Sequence, residues 1–523
     1  MIQVNRILSK LVVLSIGMAL PLSAVTDISM TLKDLTTSRK VGQDNALYFI
    51  NALSQSLPEN TPGEGNKWIS LSTIYKNAHA IMPYATVQNG IWMNNQGKVL
   101  YRVPKGHNCS CLFVYDVSSS KHKEIARFHN VKYSTLPPYR LNNNGEIFYF
   151  DHSSNEDWIG KIKYPDGKER RILDTKKYDA LNNPYNVSYA SFLQKFGPDM
   201  ERGYSARVDF NDLGQVLFAS GTNSQLTWLL DPKHSLTQLW DVPYHVLGLN
   251  RSGDIFLHSA LSKGAVYHST KQKLYSFDTK HTSHEYVIAN QLRSAIFPAD
   301  PLCDPFPGIP HLYLAGDHVK MIDSFDGHKI FFQEMNDSAD VAGFGALSLL
   351  SQNFKTGYVK GLVYTVKEGV KELQDFGDRR SVALGINSAG TLVGAAETTD
   401  GKLHAFMKSS NQLTNLGALF PDSSLALSIN DQEWVLGLYK DERGLFQGFL
   451  YHPKKGVVNI AHGFHEHYDT SFNIPIGFNE QGQVVGVLYF LKDKAIHRTV
   501  FVYNPDNGQA VHLPHYPHEE VSL

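Results

Sequence analysis

Apolar and polar positions alternate along this chain in a phrase that returns nine times. An apolar residue precedes an asparagine, four mostly polar positions follow, usually with a glycine third, and an aliphatic run begins. The asparagines are Asn94, Asn142, Asn211, Asn250, Asn290, Asn336, Asn387, Asn430 and Asn479. The fifth residue after each is Val99, Ile147, Val216, Ile255, Ala295, Val341, Leu392, Val435 or Val484, and the sixth is always apolar. An apolar strand end, a four-residue polar turn and a second aliphatic strand make a β-hairpin. Asparagine suits the turn because its side chain can bond backbone amides downstream. Glycine stands three residues after it in six of the nine copies, where a positive φ is easiest for glycine. Arg293, Ala339 and Glu433 replace it in the others, so those three turns are expected to differ in shape.

A second apolar, aromatic-rich strand follows each hairpin, as in Leu112–Tyr115, Thr227–Leu230, Gly361–Tyr364, Ala405–Met407, Phe449–Tyr451 and Phe501–Tyr503. A turn and a fourth strand close the unit, as in Gln412–Gly417. Successive asparagines are 48, 69, 39, 40, 46, 51, 43 and 49 residues apart. Four short strands in roughly 40–50 residues is the period of a propeller blade. The pattern predicts an all-β propeller of about nine four-stranded repeats, eight or nine blades. A single ring is preferred to two smaller propellers, because no linker of distinct composition divides the repeats. Helical repeats would show a 3.6-residue apolar period, which is absent.

The copies fall into two classes. Seven residues after the asparagine, the first five carry Tyr101, Tyr149, Phe218, Leu257 and Phe297, and the last four carry Gly343, Gly394, Gly437 and Gly486. Glycine inside a strand marks a bulge or a close backbone approach, so the two groups are expected to pack differently. The stretch Gly385-Ile386-Asn387-Ser388-Ala389-Gly390, then Val393-Gly394, His404-Ala405-Phe406 and Leu416-Gly417-Ala418-Leu419 resembles the bacterial extracellular HAF repeat. The resemblance is close over 383–420, fair across 335–513 and limited to the hairpin half from 90 to 334. It implies export and a repetitive, propeller-like fold, and no reaction.

The N-terminus reads as a secretory signal over 1–24: Arg6 and Lys10, an apolar run from Leu11, and a small pair at Ser23-Ala24. A buried first strand or a membrane anchor are the other readings of that run. No other stretch approaches the roughly 20 apolar residues that span a bilayer, so no transmembrane segment is expected in the mature chain. Export places the protein in the periplasm or outside the cell. Residues 25–80 form an extension with a short amphipathic helix over 44–57, and 81–523 the propeller. The 49 basic and 50 acidic side chains form no basic stripe, which argues against nucleic acid as partner. Cys109, Cys111 and Cys303 are an odd set for an exported chain. Either of the first two could bridge to Cys303, or all three could be unpaired.

Candidate chemistry is sparse. His462, His465, Glu466, His467 and Asp469 are metal-ligating types in one loop, and His512, His515 and His518 cluster near the end. Loop and terminal histidines are mostly solvated, so no metal site is assigned. Asp337 with Asp340, and Glu372 with Asp378, are acidic pairs of the kind a glycosidase uses, but the first lies in the repeated turn and reads as structural. No nucleophile elbow, zinc-protease pair, phosphate loop or calcium loop is present. No catalytic, cofactor-binding or metal-ligating residue is therefore assigned, and no cofactor is expected. The sequence predicts a monomeric, non-catalytic binding or scaffolding module for a protein or glycan partner. Its binding face is expected in the irregular segments 175–206 and 298–325, since long loops commonly carry function. The alternative is a propeller enzyme, a glycan hydrolase or lyase or a peptidase, with carboxylates converging at the axial mouth.

Overall fold

Each repeated asparagine turn builds a hairpin, and each hairpin opens one sheet. In the computed structural model the described residues run from 91 to 521, apart from short connecting segments and the longer stretches 175–206, 298–309 and 347–358. Within them the chain forms nine antiparallel sheets, each built from consecutive strands in sequence order. The sheets are the blades of a propeller. They cover 92–129, 139–174, 207–238, 244–278, 288–321, 329–372, 381–415, 424–459 and 471–521, numbered here one to nine. Blade nine has a fifth strand, Glu519–Val521, which pairs with its own third strand. Among the described residues no blade is split between the chain ends. The expected signal over 1–24 and the expected helix over 44–57 lie outside the described residues.

The first strand of each blade is innermost and carries the apolar residue that precedes the asparagine. The second strand begins with the paired apolar positions. Val99, Leu100, Val216, Leu217, Val341, Ala342, Val435 and Leu436 are all buried, as are Val484 and Val485. Both faces of a middle strand are covered because each blade is sandwiched between two others, so two consecutive apolar residues are needed where a one-sided sheet needs one.

Three devices join the blades. The first is the asparagine itself. Its Oδ1 accepts the backbone N–H four residues on, at 2.9 Å from Lys98 to Asn94 and 2.9 Å from Trp434 to Asn430. Its Nδ2 donates to the backbone carbonyl of the next blade's asparagine. The described links run Asn94 to Asn142, Asn142 to Asn211, Asn211 to Asn250, Asn336 to Asn387, Asn387 to Asn430, Asn430 to Asn479, and Asn479 back to Asn94, at 2.8–3.2 Å. The last link, over 385 residues of chain, closes the ring. The Tyr101 hydroxyl adds a bond from blade one to the Pro514 carbonyl, 2.7 Å.

The second device belongs to blades six to nine. A small third-strand residue donates its N–H to a side chain at the start of the next blade: Gly361 to Ser381, Ala405 to Ser424 and Gly448 to Asn473, at 2.9–3.0 Å. The third is glycine under an aromatic ring. Gly394, Gly437 and Gly486 pair in register with Phe406, Phe449 and Phe501. A Cβ at Gly437 would lie 2.3 Å from the Phe449 ring and 2.4 Å from the Leu425 carbonyl oxygen.

Two expectations are corrected. Ala339 and Glu433 adopt φ of 63° and 62°, alongside 72–82° for the glycines at this place in the turn. Their N–H groups bond the Asn336 and Asn430 carbonyls at 3.1 Å, as the glycines do in their turns. The asparagine network imposes one turn shape, and the side chain tolerates the left-handed backbone at a modest cost. Arg293 lies outside the described residues. The second correction concerns 298–325, which is not simply a loop. His311–Leu314 and His318–Met321 are the third and fourth strands of blade five. Flanking prolines hid a short strand whose pattern is otherwise the usual one. Segment 175–206 lies outside the described residues.

Candidate functional site

Two rings of side chains surround the axis on the face where the turns lie. Inside the asparagine ring, the residue after the asparagine accepts a bond from its counterpart in the preceding blade at five of the described seams. Asn143 accepts from the Asn95 N–H, Asp212 from Asn143, Asp431 from Ser388, Glu480 from Asp431 and Asn95 from Glu480, at 2.7–3.3 Å. Asp212 also pairs with Arg251 at 2.8 Å. Burial, reinforced by the neighbouring Asp431, pushes the Glu480 carboxyl above its usual range. These acids close the seams between turns and are committed to backbone partners.

The distinctive position is two residues before the asparagine, on the innermost strand. In blades four and six to nine that strand has a bulge just before it, between Val246 and Gly248, Phe332 and Glu334, Ala383 and Gly385, Ala426 and Ser428, and Pro475 and Gly477. A bulge re-aims the following side chain. Glu334 therefore reaches past blade seven: its Oε2 lies 3.4 Å from the Ser428 Oγ of blade eight. Gly385 makes room, since a Cβ there would sit 3.2 Å from the same carboxylate oxygen and 3.1 Å from the Ser428 Cα. Side chains two blades apart can meet only where the inner strands converge, at the axis. Both Glu334 and Ser428 are buried.

The equivalent positions in blades one to three hold Trp92, Arg140 and Asp209. The Arg140 guanidinium lies 4.4 Å over the Trp92 ring and its Nη1 donates to the Tyr139 carbonyl at 2.9 Å. This repeat position is thus occupied asymmetrically: Trp92 and Arg140 pack together at the seam of blades one and two, whereas Glu334 and Ser428 meet across blade seven. A separate cavity of about 200 Å³ opens off the axis between blades two and three, lined by Glu146, Tyr164, Asp212 and Asp231 among others.

The residues weighed in the sequence fall elsewhere. Asp340 lies in a turn where its N–H donates to Asn336 at 2.9 Å, and burial pushes its carboxyl up. Asp337 shares that turn and Glu372 lies 3.7 Å from Lys360. His462 is in a short 3-10 turn, 3.4 Å from the Asn459 amide. His512 is on the fourth strand of blade nine. Cys109 and Cys111 are free thiols on one strand, and burial raises the Cys111 thiol. His465, Glu466, His467, Asp469, His515, His518, Asp378 and Cys303 lie outside the described residues. None of the described candidates joins the axial belt. Its own residues occupy a repeated position; the signal in the sequence is that this inner-strand position, beside a uniformly apolar neighbour, holds Trp, Arg, Asp, Gly, Ile, Glu and Ser in different blades.

No family model and no curated protein matches the chain. Among solved structures it is similar to an acylaminoacyl peptidase of Pyrococcus horikoshii, with a TM-score of 0.34 and 10% identity, covering 80% of this chain and 58% of that one. It is also similar to a prolyl endopeptidase (0.34, 9%, 85% and 61%) and to a post-proline cleaving enzyme from Rickettsia typhi (0.33, 10%, 71% and 58%). The chain spans less than two thirds of the length of each. The printed names of these neighbours are those of enzymes, where the sequence led to the expectation of a non-catalytic binding or scaffolding module. At such identities and TM-scores the likeness does not define a reaction, so the chemistry must be argued from the axial residues. Among the described residues, no helix is long and apolar enough to cross a membrane.

Proposed function

We propose that this chain is an exported hydrolytic propeller that cleaves a peptide at the ring axis, with Ser428 as nucleophile and Glu334 as its base. One observation carries the reading: a buried carboxylate and a hydroxyl from blades six and eight meet over a glycine, at the repeat position that breaks the symmetry of the ring. A serine hydroxyl is a weak nucleophile until an adjacent base takes its proton. Glu334 is the group placed to do so. Their 3.4 Å separation is longer than the roughly 2.6–3.2 Å of a productive contact, and such contacts commonly tighten when substrate binds. The proton goes to Glu334 as Oγ attacks the carbonyl carbon, and from Glu334 to the departing amine; water then attacks the Ser428 ester, giving its proton to Glu334, which returns it to Oγ as the acid leaves. A carboxylate in hydrogen-bond reach of a hydroxyl fits acyl transfer, whereas glycoside hydrolysis needs two carboxylates about 5–9.5 Å apart across the scissile bond, and Asp209, the other acid at this repeat position, comes from blade three.

Export is supported by the charged, apolar and small-residue order of residues 1–24, and membership of the HAF-repeat group by the 383–420 unit. The test is turnover of a short-peptide library alongside cell-wall and storage polysaccharides. The reading expects peptide cleavage that S428A and E334Q each reduce by two orders of magnitude or more. Absence of cleavage, or cleavage indifferent to both substitutions, would overturn it.

A further inference from the structure

The side chain four residues after the asparagine closes the gap to the next blade's turn at three seams. Gln215 lies over Gly253, Trp434 over Gly482 and Gln483 over Gly97, so closely that a Cβ on those glycines would sit 2.5–2.6 Å away. Between blades two and three the counterparts are Glu146 and Gly214, and there the same place is open: both line the cavity of about 200 Å³. Glu146 is turned back on its own loop, where its Oε2 accepts from the Asn142 Nδ2 at 2.6 Å. The floor is apolar, made by the buried Ile162, Ile172 and Leu230. Asp212 and Asp231 join Glu146 in the wall, and no lining residue is basic.

We propose that this cavity is a docking pocket for an arginine side chain of a polypeptide partner, separate from the axial pair. Charge complementarity identifies the occupant. Three carboxylates around an apolar floor suit a cation carried on an aliphatic stem, which is the build of a basic side chain. Size points the same way. Pockets that enclose a whole small molecule run to roughly 300–1,000 Å³, and this smaller one matches a single anchoring side chain. Arginine is favoured over lysine because its planar fork serves more than one acceptor at once. Asp212 is held by the Asn143 backbone and side-chain amides and by Arg251, so it contributes negative field rather than a direct bond. Glu146 supplies the direct contact: an ionised carboxylate offers about four acceptor sites, and it gives one to Asn142.

Calorimetric titration of the full-length S428A protein tests the pocket with no probe consumed. The probes are a Gly-Ser peptide bearing one arginine, the same peptide with lysine or citrulline in its place, free arginine, and a glucosamine oligomer. The arginine peptide should bind about tenfold more tightly than the citrulline peptide, with lysine between them, and added salt should weaken it. E146Q removes one charge and keeps an acceptor for Asn142, as Gln215 and Gln483 do for their own asparagines. It should narrow the arginine preference severalfold. E146W introduces the residue that blade eight carries at Trp434, and should fill the cavity and abolish binding with the melting temperature kept. Should E146W not fold, the E146Q comparison decides. Equal affinity for arginine and citrulline, or a preference untouched by these substitutions, overturns the proposal, and a preference for lysine overturns the choice of arginine. Tighter binding of free arginine or of the glucosamine oligomer than of the peptide also overturns it, in favour of a small cation or an amino-sugar polymer. An arginine preference carried by Glu146 in a protein without peptide turnover would defeat the catalytic reading and leave this one standing.

Discussion

Blades six to nine and blades one to five solve the same packing problem with opposite choices. In the later sector the middle strand gives up its side chain at Gly394, Gly437 and Gly486, and a phenylalanine from the third strand lies across the gap. In the earlier sector the middle strand keeps the bulk. Leu257 pairs with Ala265, and Tyr101 stacks on Phe113 with ring centroids 5.8 Å apart. The seams differ accordingly. Later seams carry repeated backbone-to-Ser or backbone-to-Asn bonds. The seam between blades four and five instead carries a buried relay, Asp254 to His268 at 2.6 Å and His268 to Tyr313 at 2.8 Å. In blade four the bulk has passed from the third strand to the second, while blade one is large on both. What does not change is the asparagine ring, which sets the geometry in both sectors.

That comparison can be broken in order of expected size. Replacing Val484 with Asp buries an unpaired charge and should cost ~3–5 kcal/mol in denaturant unfolding, with V99D in the other sector equally severe. A mild effect at either site would mean that sector's middle strand is not sandwiched. N430A removes the acceptor for the Gln432 and Trp434 amides and the donor to Asn479, for a loss of about 3 kcal/mol. N142A should cost about as much, since the ring is common to both sectors. Unequal losses would show that the ring supports one sector only.

Gly437 separates the sectors directly. G437A should destabilise by about 2 kcal/mol through overpacking against Phe449. Adding F449L should recover only part, because the Leu425 carbonyl is backbone and cannot retreat. In the earlier sector the sign of the volume change reverses. L257A opens a cavity beside Ala265 and should cost ~2–5 kcal/mol. The smallest effect is expected at Ala339. Replacing it with Gly relieves a left-handed backbone and costs chain entropy, for a net gain of about 0.5–1 kcal/mol. A loss in melting temperature for A339G would mean that the turn is not strained.

Much of this was legible because it recurs. Nine copies of one turn fix the strand boundaries, and the paired apolar positions such as Val435 and Leu436 announce a strand covered on both faces. The division into two sectors followed from Gly343, Gly394, Gly437 and Gly486. The His-Ala-Phe strand now has physical reasons: Ala405 is small where Ser424 docks, and Phe406 covers Gly394. The inter-blade role of the asparagine was not legible, because a turn residue bonding its own loop and one bonding the next blade look alike in sequence. The axial belt was hidden for a related reason. A bulge shifts the inner strand by one residue, and alternation alone places Glu334 and Ser428 on the wrong face. His311–Leu314 was lost among prolines.

The central claim is that a symmetric scaffold acquires its chemistry at one asymmetric axial position. It is tested most directly by peptide turnover in E334Q beside E480Q, a carboxylate-to-amide change at a repeated rim position, with both proteins checked for native melting. The account predicts that E334Q loses at least a hundredfold in kcat/KM while E480Q stays close to the unsubstituted protein. Equal activity in the two variants, or loss only in E480Q, would contradict it.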